Sequence, residues 1–157
     1  MTNTDDDGAL ERRFTEIYRS NLWNSAESRS GIGSEVERTK YIRREIPILL
    51  RDFAISSLLD APCGDFNWMK LVPLDALSYT GADIVAPLIE LNNRLYGAPN
   101  IRFAHLNIIA DKLPRADLIL CRDCLFHFSH DDVFRALRNF KSSGARYLLT
   151  TTFVNRS

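Results

Sequence analysis

Beyond Ile55, short apolar runs alternate with helical patterns, and this alternation limits the possible folds more than any other feature of the chain. The runs cover residues 57–61, 77–84, 101–108, 117–122 and 147–153. Leu88, Leu91 and Leu95 form a helical stripe that opens at Pro87 and closes at Gly97. Val133, Phe134, Leu137 and Phe140 form a second, with Ser129 and Asp132 as its start signal and Gly144 near its end. The link from Ala61 to Leu77 leaves room for at most two helical turns, around residues 66–71. Strand–helix–strand order of this kind predicts an α/β fold, a doubly wound parallel sheet with helices on both faces. Ligands bind such sheets at the carboxyl ends of the strands, where the strand order reverses. Function is therefore sought just after Ala61, Asp83, Asn107 and Arg122.

Two helices are predicted ahead of this core. Leu10, Phe14, Ile17, Tyr18 and Leu22 recur at helical spacing. A Ser/Gly-rich loop follows over residues 25–34. Ser34 and Glu37 form a capping-box pattern for a second helix, which carries Tyr41, Ile42, Ile46 and Leu49 on one side and a kink at Pro47. The expected organisation is a disordered tail over residues 1–8, N-terminal helices with a lid over 9–54, and the core over 55–157.

Twenty basic residues balance twenty acidic ones among 157. No basic face results, so nucleic acid is not an expected partner. The longest apolar runs are far too short to span a bilayer, and Asp5, Asp6 and Asp7 have the wrong sign for a secretory leader. Three cysteines without a disulfide spacing fit a reducing cytoplasm. Cys121 and Cys124 form a C-x-x-C pair, but Cys63, His105, His127 and His130 do not complete a ligand spacing. They are expected to be buried apolar cysteines, and no metal site is assigned.

The chemistry concentrates in Ser57–Met69. A strand ends in Asp60, turns at Gly64 and is expected to enter a helix whose first N–H groups are free. Asp83 ends the next strand, where a carboxylate can accept hydrogen bonds from both hydroxyls of a ribose. Asn107 ends the third and can meet an adenine edge.

These residues resemble the class I S-adenosylmethionine-dependent methyltransferases, over about residues 55–153. The resemblance implies a Rossmann-like fold and S-adenosyl-L-methionine as cofactor. In the first motif of that family an acid precedes glycines at every second position. Here Asp60 takes the acid place, and Pro62, Gly64 and Phe66 the three glycine places. The resemblance implies that Asp60, Ala61, Pro62 and Gly64 line the methionine part, that Asp83 with Ile84 holds the ribose, and that Asn107 with Ile108 meets the adenine. It sets Arg122 beside the cofactor and turns residues 123–127 toward an acceptor.

A small-molecule acceptor is expected. His127 and Asp123 are the competing general bases for it, and Trp23, Arg29 and Ser30 in the Ser/Gly loop are candidate contacts within a lid that excludes water. Arg122 suits a carboxylate or phosphate on the acceptor, or an ion pair with a neighbour. The family fold adds a sixth strand and an antiparallel seventh, for which no residues remain after Ser157. The expectation is a core without its final hairpin and with an exposed fifth strand: a fragment, a shortened gene product, or a chain that forms a homodimer through that edge. The alternatives are a methyltransferase-like domain that binds the cofactor without turnover and, more remotely, an NAD-dependent oxidoreductase, which needs a glycine-rich turn that this chain lacks.

Overall fold

The computed structural model describes residues 4–152, with side chains from Gly8 onward. Five parallel strands form one sheet: β1 (Ser57–Asp60), β2 (Ser78–Asp83), β3 (Ile101–His105), β4 (Leu118–Cys121) and β5 (Tyr147–Thr150). Their order is β3-β2-β1-β4-β5. The chain moves outward from β1 to β3, crosses back to β4 and moves outward again, so the order reverses between β1 and β4.

Successive side chains of a strand point to opposite faces, and the core divides accordingly. Leu58, Tyr79, Phe103, Leu118 and Leu120 fall in one buried cluster with Ile46 and Leu50 of α2 (Lys40–Asp52) and Ile89 of α3 (Ala86–Tyr96). Leu59, Ala82, Ile119 and Cys121 fall in the other with Ala136 and Phe140 of α4 (His130–Ser142), and Leu10 of α1 (Thr4–Ser20) packs against it. Cys124 lies in this second cluster, so both members of the C-x-x-C pair are buried among apolar side chains. The central strands β1, β2 and β4 are buried on both faces, which is why their runs read as nearly continuous apolar stretches rather than as alternation, whereas the edge strands β3 and β5 expose Arg102, His105 and Leu148.

The strands are shorter than their runs, because several run ends leave the ladder to form the site. Phe153, the last residue of the fifth run, lies outside the described residues. Helix α4 starts as expected, with the Ser129 hydroxyl accepting the Asp132 N–H at 3.2 Å. Helix α3 ends at Tyr96, before Gly97.

Other local expectations need correction. Helix α1 reaches back to Thr4, into the stretch expected to be a tail; residues 1–3 lie outside the described residues. Ser34 does not start α2. It ends a short 3₁₀ turn, Ile32–Ser34, and its carbonyl accepts from Asn67 Nδ2. Glu37 pairs with Lys40 instead of closing a capping box, and α2 begins at Lys40 without a side-chain cap. A distant residue, Asn67, thus holds the Ser34 turn, while Glu37 is used locally by Lys40. Helix α2 also runs unbroken through Pro47. A proline ring removes one helical hydrogen bond, and burial of Ile46 and Leu50 on either side holds the helix together. Between β1 and β2 only the 3₁₀ turn Met69–Leu71 forms. Among the described residues strand β5 lies at the sheet edge, paired only with β4, and Leu148 is exposed.

Candidate functional site

The carboxyl ends of β1, β2 and β4 open into one cavity of about 460 Å³. Asp60, Pro62, Gly64, Asp83, Ile84, Asn107, Ile108, Arg122, Asp123 and His127 line it, together with Trp23, Arg29 and Ser30. Ala61 is the exception among the expected residues. It is fully buried, with its N–H bonded to Leu120 O, and does not reach the cavity.

Asp60 ends β1 between Gly81 of β2 and Leu120 of β4. Tyr79, two residues earlier on β2 than Gly81, donates its hydroxyl to Asp60 Oδ2 at 2.7 Å. Burial pushes the Asp60 carboxyl up to about 7; the Tyr79 hydroxyl opposes this, and the Asp83 charge adds to it. Asp83 ends β2, and its carboxylate accepts from Gly64 N–H at 3.1 Å and Val85 N–H at 3.0 Å. Burial raises Asp83 to about 6 against those two backbone donors. Two buried carboxylates therefore share one cavity, and among the described residues neither has a cation in salt-bridge contact.

The turn after β1 departs from the expectation of free N–H groups. Gly64 N–H goes to Asp83, and Asp65 N–H goes to Ser30 Oγ at 2.9 Å. Gly64 adopts φ 54, and a Cβ there would stand 2.1 Å from Ser30 Oγ. The space left by the missing side chain is thus filled by Ser30 of the N-terminal loop. Phe66, at the third glycine place, keeps a left-handed φ of 59. Its ring packs 5.1–5.3 Å from those of Phe103, Tyr96 and Tyr79, and that burial holds a conformation that glycine would adopt freely.

Asp65 ties the N-terminal loop to this turn. Its carboxylate accepts from Ser28 Oγ at 2.9 and 3.0 Å, Arg29 N–H at 2.7 Å and Ser30 Oγ at 3.2 Å. Asn67 adds a second tether, donating to Glu27 Oε1 and Ser34 O. Arg122 makes a third. Its guanidinium donates to Gly33 O at 2.9 Å, pairs with Asp123 at 3.0 Å and lies 5.6 Å from the Trp68 ring. The ion pair with a neighbour is therefore the observed role of Arg122. Asp65, Asn67 and Glu27 carry no signal in the sequence, since polar residues in a loop follow no period.

Asn107 lines the cavity, but its Oδ1 accepts Ile109 N–H at 2.9 Å. That bond caps its own turn and uses one of the two lone pairs of the oxygen.

At the other end of the cavity the lining is aromatic. Phe14 and Tyr18 of α1 face it, along with Trp23, Phe126, His127 and Phe128. Trp23 stacks on His127, with centroids 5.6 Å apart and planes at 26°. Phe14 meets His127 edge-on at 6.1 Å and Phe128 at 6.4 Å. Burial lowers the His127 pKa, and Arg13 lowers it further against the pull of Asp123. In sequence Phe14 and Tyr18 look like an ordinary core stripe; only the docking of α1 over the strand ends brings them into the site.

No protein-family model and no curated protein sequence matches this chain. Solved structures do. The N-methyltransferase NodS from Bradyrhizobium japonicum WM9, in complex with S-adenosyl-L-homocysteine, superposes with a TM-score of 0.60 at 18% identity, over 82% of this chain and 67% of NodS. The 1,6-didemethyltoxoflavin-N1-methyltransferase of Burkholderia thailandensis gives 0.59 at 18% identity, over 91% of this chain and 60% of that one. Magnesium protoporphyrin IX methyltransferase of Synechocystis PCC 6803, with bound S-adenosylhomocysteine, gives 0.60 at 12% identity, over 87% and 67%. Against another match, TnmH, the chain spans only 33% of the longer protein. The fold is thus the Rossmann-like α/β fold of S-adenosylmethionine-dependent methyltransferases. No helix among the described residues is long and apolar enough to cross a membrane.

Proposed function

We propose that the chain is an S-adenosyl-L-methionine-dependent methyltransferase domain acting on a small-molecule acceptor. The observation that carries this reading is the pair of buried carboxylates, Asp60 and Asp83, in one cavity with no cation in salt-bridge contact among the described residues. Burying an unpaired charge is costly. A ligand with a sulfonium, an ammonium and two ribose hydroxyls supplies the missing charge and donors, so the donor set fits this cofactor.

Asp83 holds the ribose with the lone pairs left over from Gly64 and Val85 N–H. Asp60 and Gly64 face the amino-acid end, and Ile84 and Ile108 give the base apolar walls. Held by these residues, the cofactor would supply an electrophilic methyl group on a positively charged sulfur. The protein aligns the acceptor and excludes water, and alignment alone is a large part of such a rate. The Ser28–Ser34 loop, tied down by Asp65, Asn67 and Arg122, serves as the lid. Asp123 is committed to Arg122, so His127, kept neutral by burial, is the better base.

The test is thermal denaturation with S-adenosylhomocysteine, with NAD as control; only the former should raise the melting point. Asp83→Ala removes hydrogen bonds to a charged group, worth about 1.5–3 kcal/mol, and should weaken S-adenosylhomocysteine binding about 10- to 100-fold by calorimetry. Equal affinity would remove Asp83 from the ribose role. Binding without methyl transfer to any acceptor in a cell extract would favour the reading as a cofactor-binding domain. Sedimentation will report whether two copies pair through β5.

A further inference from the structure

The aromatic end of the cavity carries more information than a generic acceptor. Phe14, Trp23, Phe126, His127 and Phe128 come from two separate segments, α1 with its following turn and the 3₁₀ turn after β4, and converge on one space. Aliphatic side chains would bury an apolar acceptor equally well. Aromatic rings add a directional preference for other flat rings, through stacked and edge-on contacts. Trp23 and His127 already stack on each other, and Phe14 and Phe128 present edges.

The charges around this end select further. The Arg13 guanidinium lies 5.9 Å from the Phe14 ring, so one cation already uses the aromatic cluster and a second would meet like charge. Arg122 is committed to Asp123 and Gly33 O, and Arg29 lines the cavity from the Ser30–Gly64 side. A neutral acceptor is favoured. The one ring in the cluster with a nitrogen lone pair is His127, which can accept a hydrogen bond from an O–H or N–H.

Resting on the methyltransferase reading, we propose that the acceptor is a small, neutral, planar aromatic compound with a phenolic O–H or ring N–H, held against Trp23 and Phe14 and presenting that group to His127. The proton leaving the acceptor goes to the His127 imidazole and from there to solvent.

Ligand-observed NMR titration of the 157-residue chain tests this with phenol, benzimidazole, toluene, cyclohexanol and benzylammonium, each with and without S-adenosylhomocysteine. Phenol and benzimidazole should bind at least about tenfold more tightly than cyclohexanol or benzylammonium, a difference of about 1.4 kcal/mol. Phenol should also exceed toluene in the wild type and equal it in His127→Phe, which keeps the ring and loses the nitrogen. Intermolecular NOEs from phenol to Trp23 and His127 in the wild type supply a readout that needs no variant to fold. Cyclohexanol or benzylammonium binding as well as phenol, or NOEs to other residues alone, would overturn the proposal. Tight S-adenosylhomocysteine binding with no aromatic preference sinks this proposal and leaves the methyltransferase reading standing. Phenol binding at Trp23 without S-adenosylhomocysteine binding does the reverse.

Discussion

Replacing Asp60 with Asn separates what the buried carboxylate costs the fold from what it gives the site. The unfolded Asp titrates near 3.8, whereas burial lifts the folded carboxyl to about 7. The native state therefore holds the proton more tightly. The stability this contributes is fully present below about pH 4 and is lost as pH rises through 7. Relative to a carboxyl protonated in both states, burying Asp60 costs roughly 4 kcal/mol at pH 8, where it stays ionised, and roughly 2 kcal/mol at pH 5, where it takes up a proton on folding. Asn keeps the shape, carries no charge and retains an oxygen for the Tyr79 hydroxyl now 2.7 Å from Oδ2. Without ligand, Asp60→Asn should be more stable than the wild type at pH 8, with a gain that falls by about half at pH 5. The same change removes a negative charge from the cavity, so S-adenosylmethionine affinity should fall about tenfold or more at pH 8. Uncharged-sulfur S-adenosylhomocysteine should lose less. Urea denaturation at both pH values and calorimetric titration with both ligands give the answer. A variant less stable than the wild type at pH 8, or one whose gain ignores pH, would refute the claim that Asp60 is a buried, uncompensated charge.

Gly64→Ala sets a methyl group 2.1 Å from Ser30 Oγ at a φ of 54. It should cost about 2–4 kcal/mol in denaturant titrations, of which the left-handed backbone accounts for about 1–2. Adding Ser30→Gly should recover the steric part, and strict additivity of the two losses would show that the residues do not meet. Asp65→Ala removes the acceptor shared by Ser28, Arg29 and Ser30, at a cost of about 2–3 kcal/mol. Trypsin should then cut at Arg29 faster than in the wild type, and an unchanged cleavage rate would mean that Asn67 and Arg122 alone hold the loop.

Where sequence reasoning failed is instructive. Ser34 and Glu37 match a helix-start pattern, yet Ser34 lies in a 3₁₀ turn whose carbonyl Asn67 holds, and Glu37 pairs with Lys40 one turn on, so α2 begins at Lys40. The room in front of Gly64 looks like space for a ligand in sequence, and in three dimensions it holds Ser30. The Asn107 oxygen also accepts the Ile109 N–H two residues on, an Asx turn within the same stretch of chain.

The order of strands and helices, the acids at their carboxyl ends and the reversal that opens the site were all determined by the sequence itself. Periodicity and turn residues act over a few neighbours, and parallel crossovers allow few arrangements. That Asp65 fastens a loop 35 to 37 residues upstream, and that Phe14 meets His127 across more than a hundred residues of chain, was decided by tertiary structure alone. Such contacts depend on where α1 docks over the strand ends, a matter of packing between distant segments that no local pattern encodes.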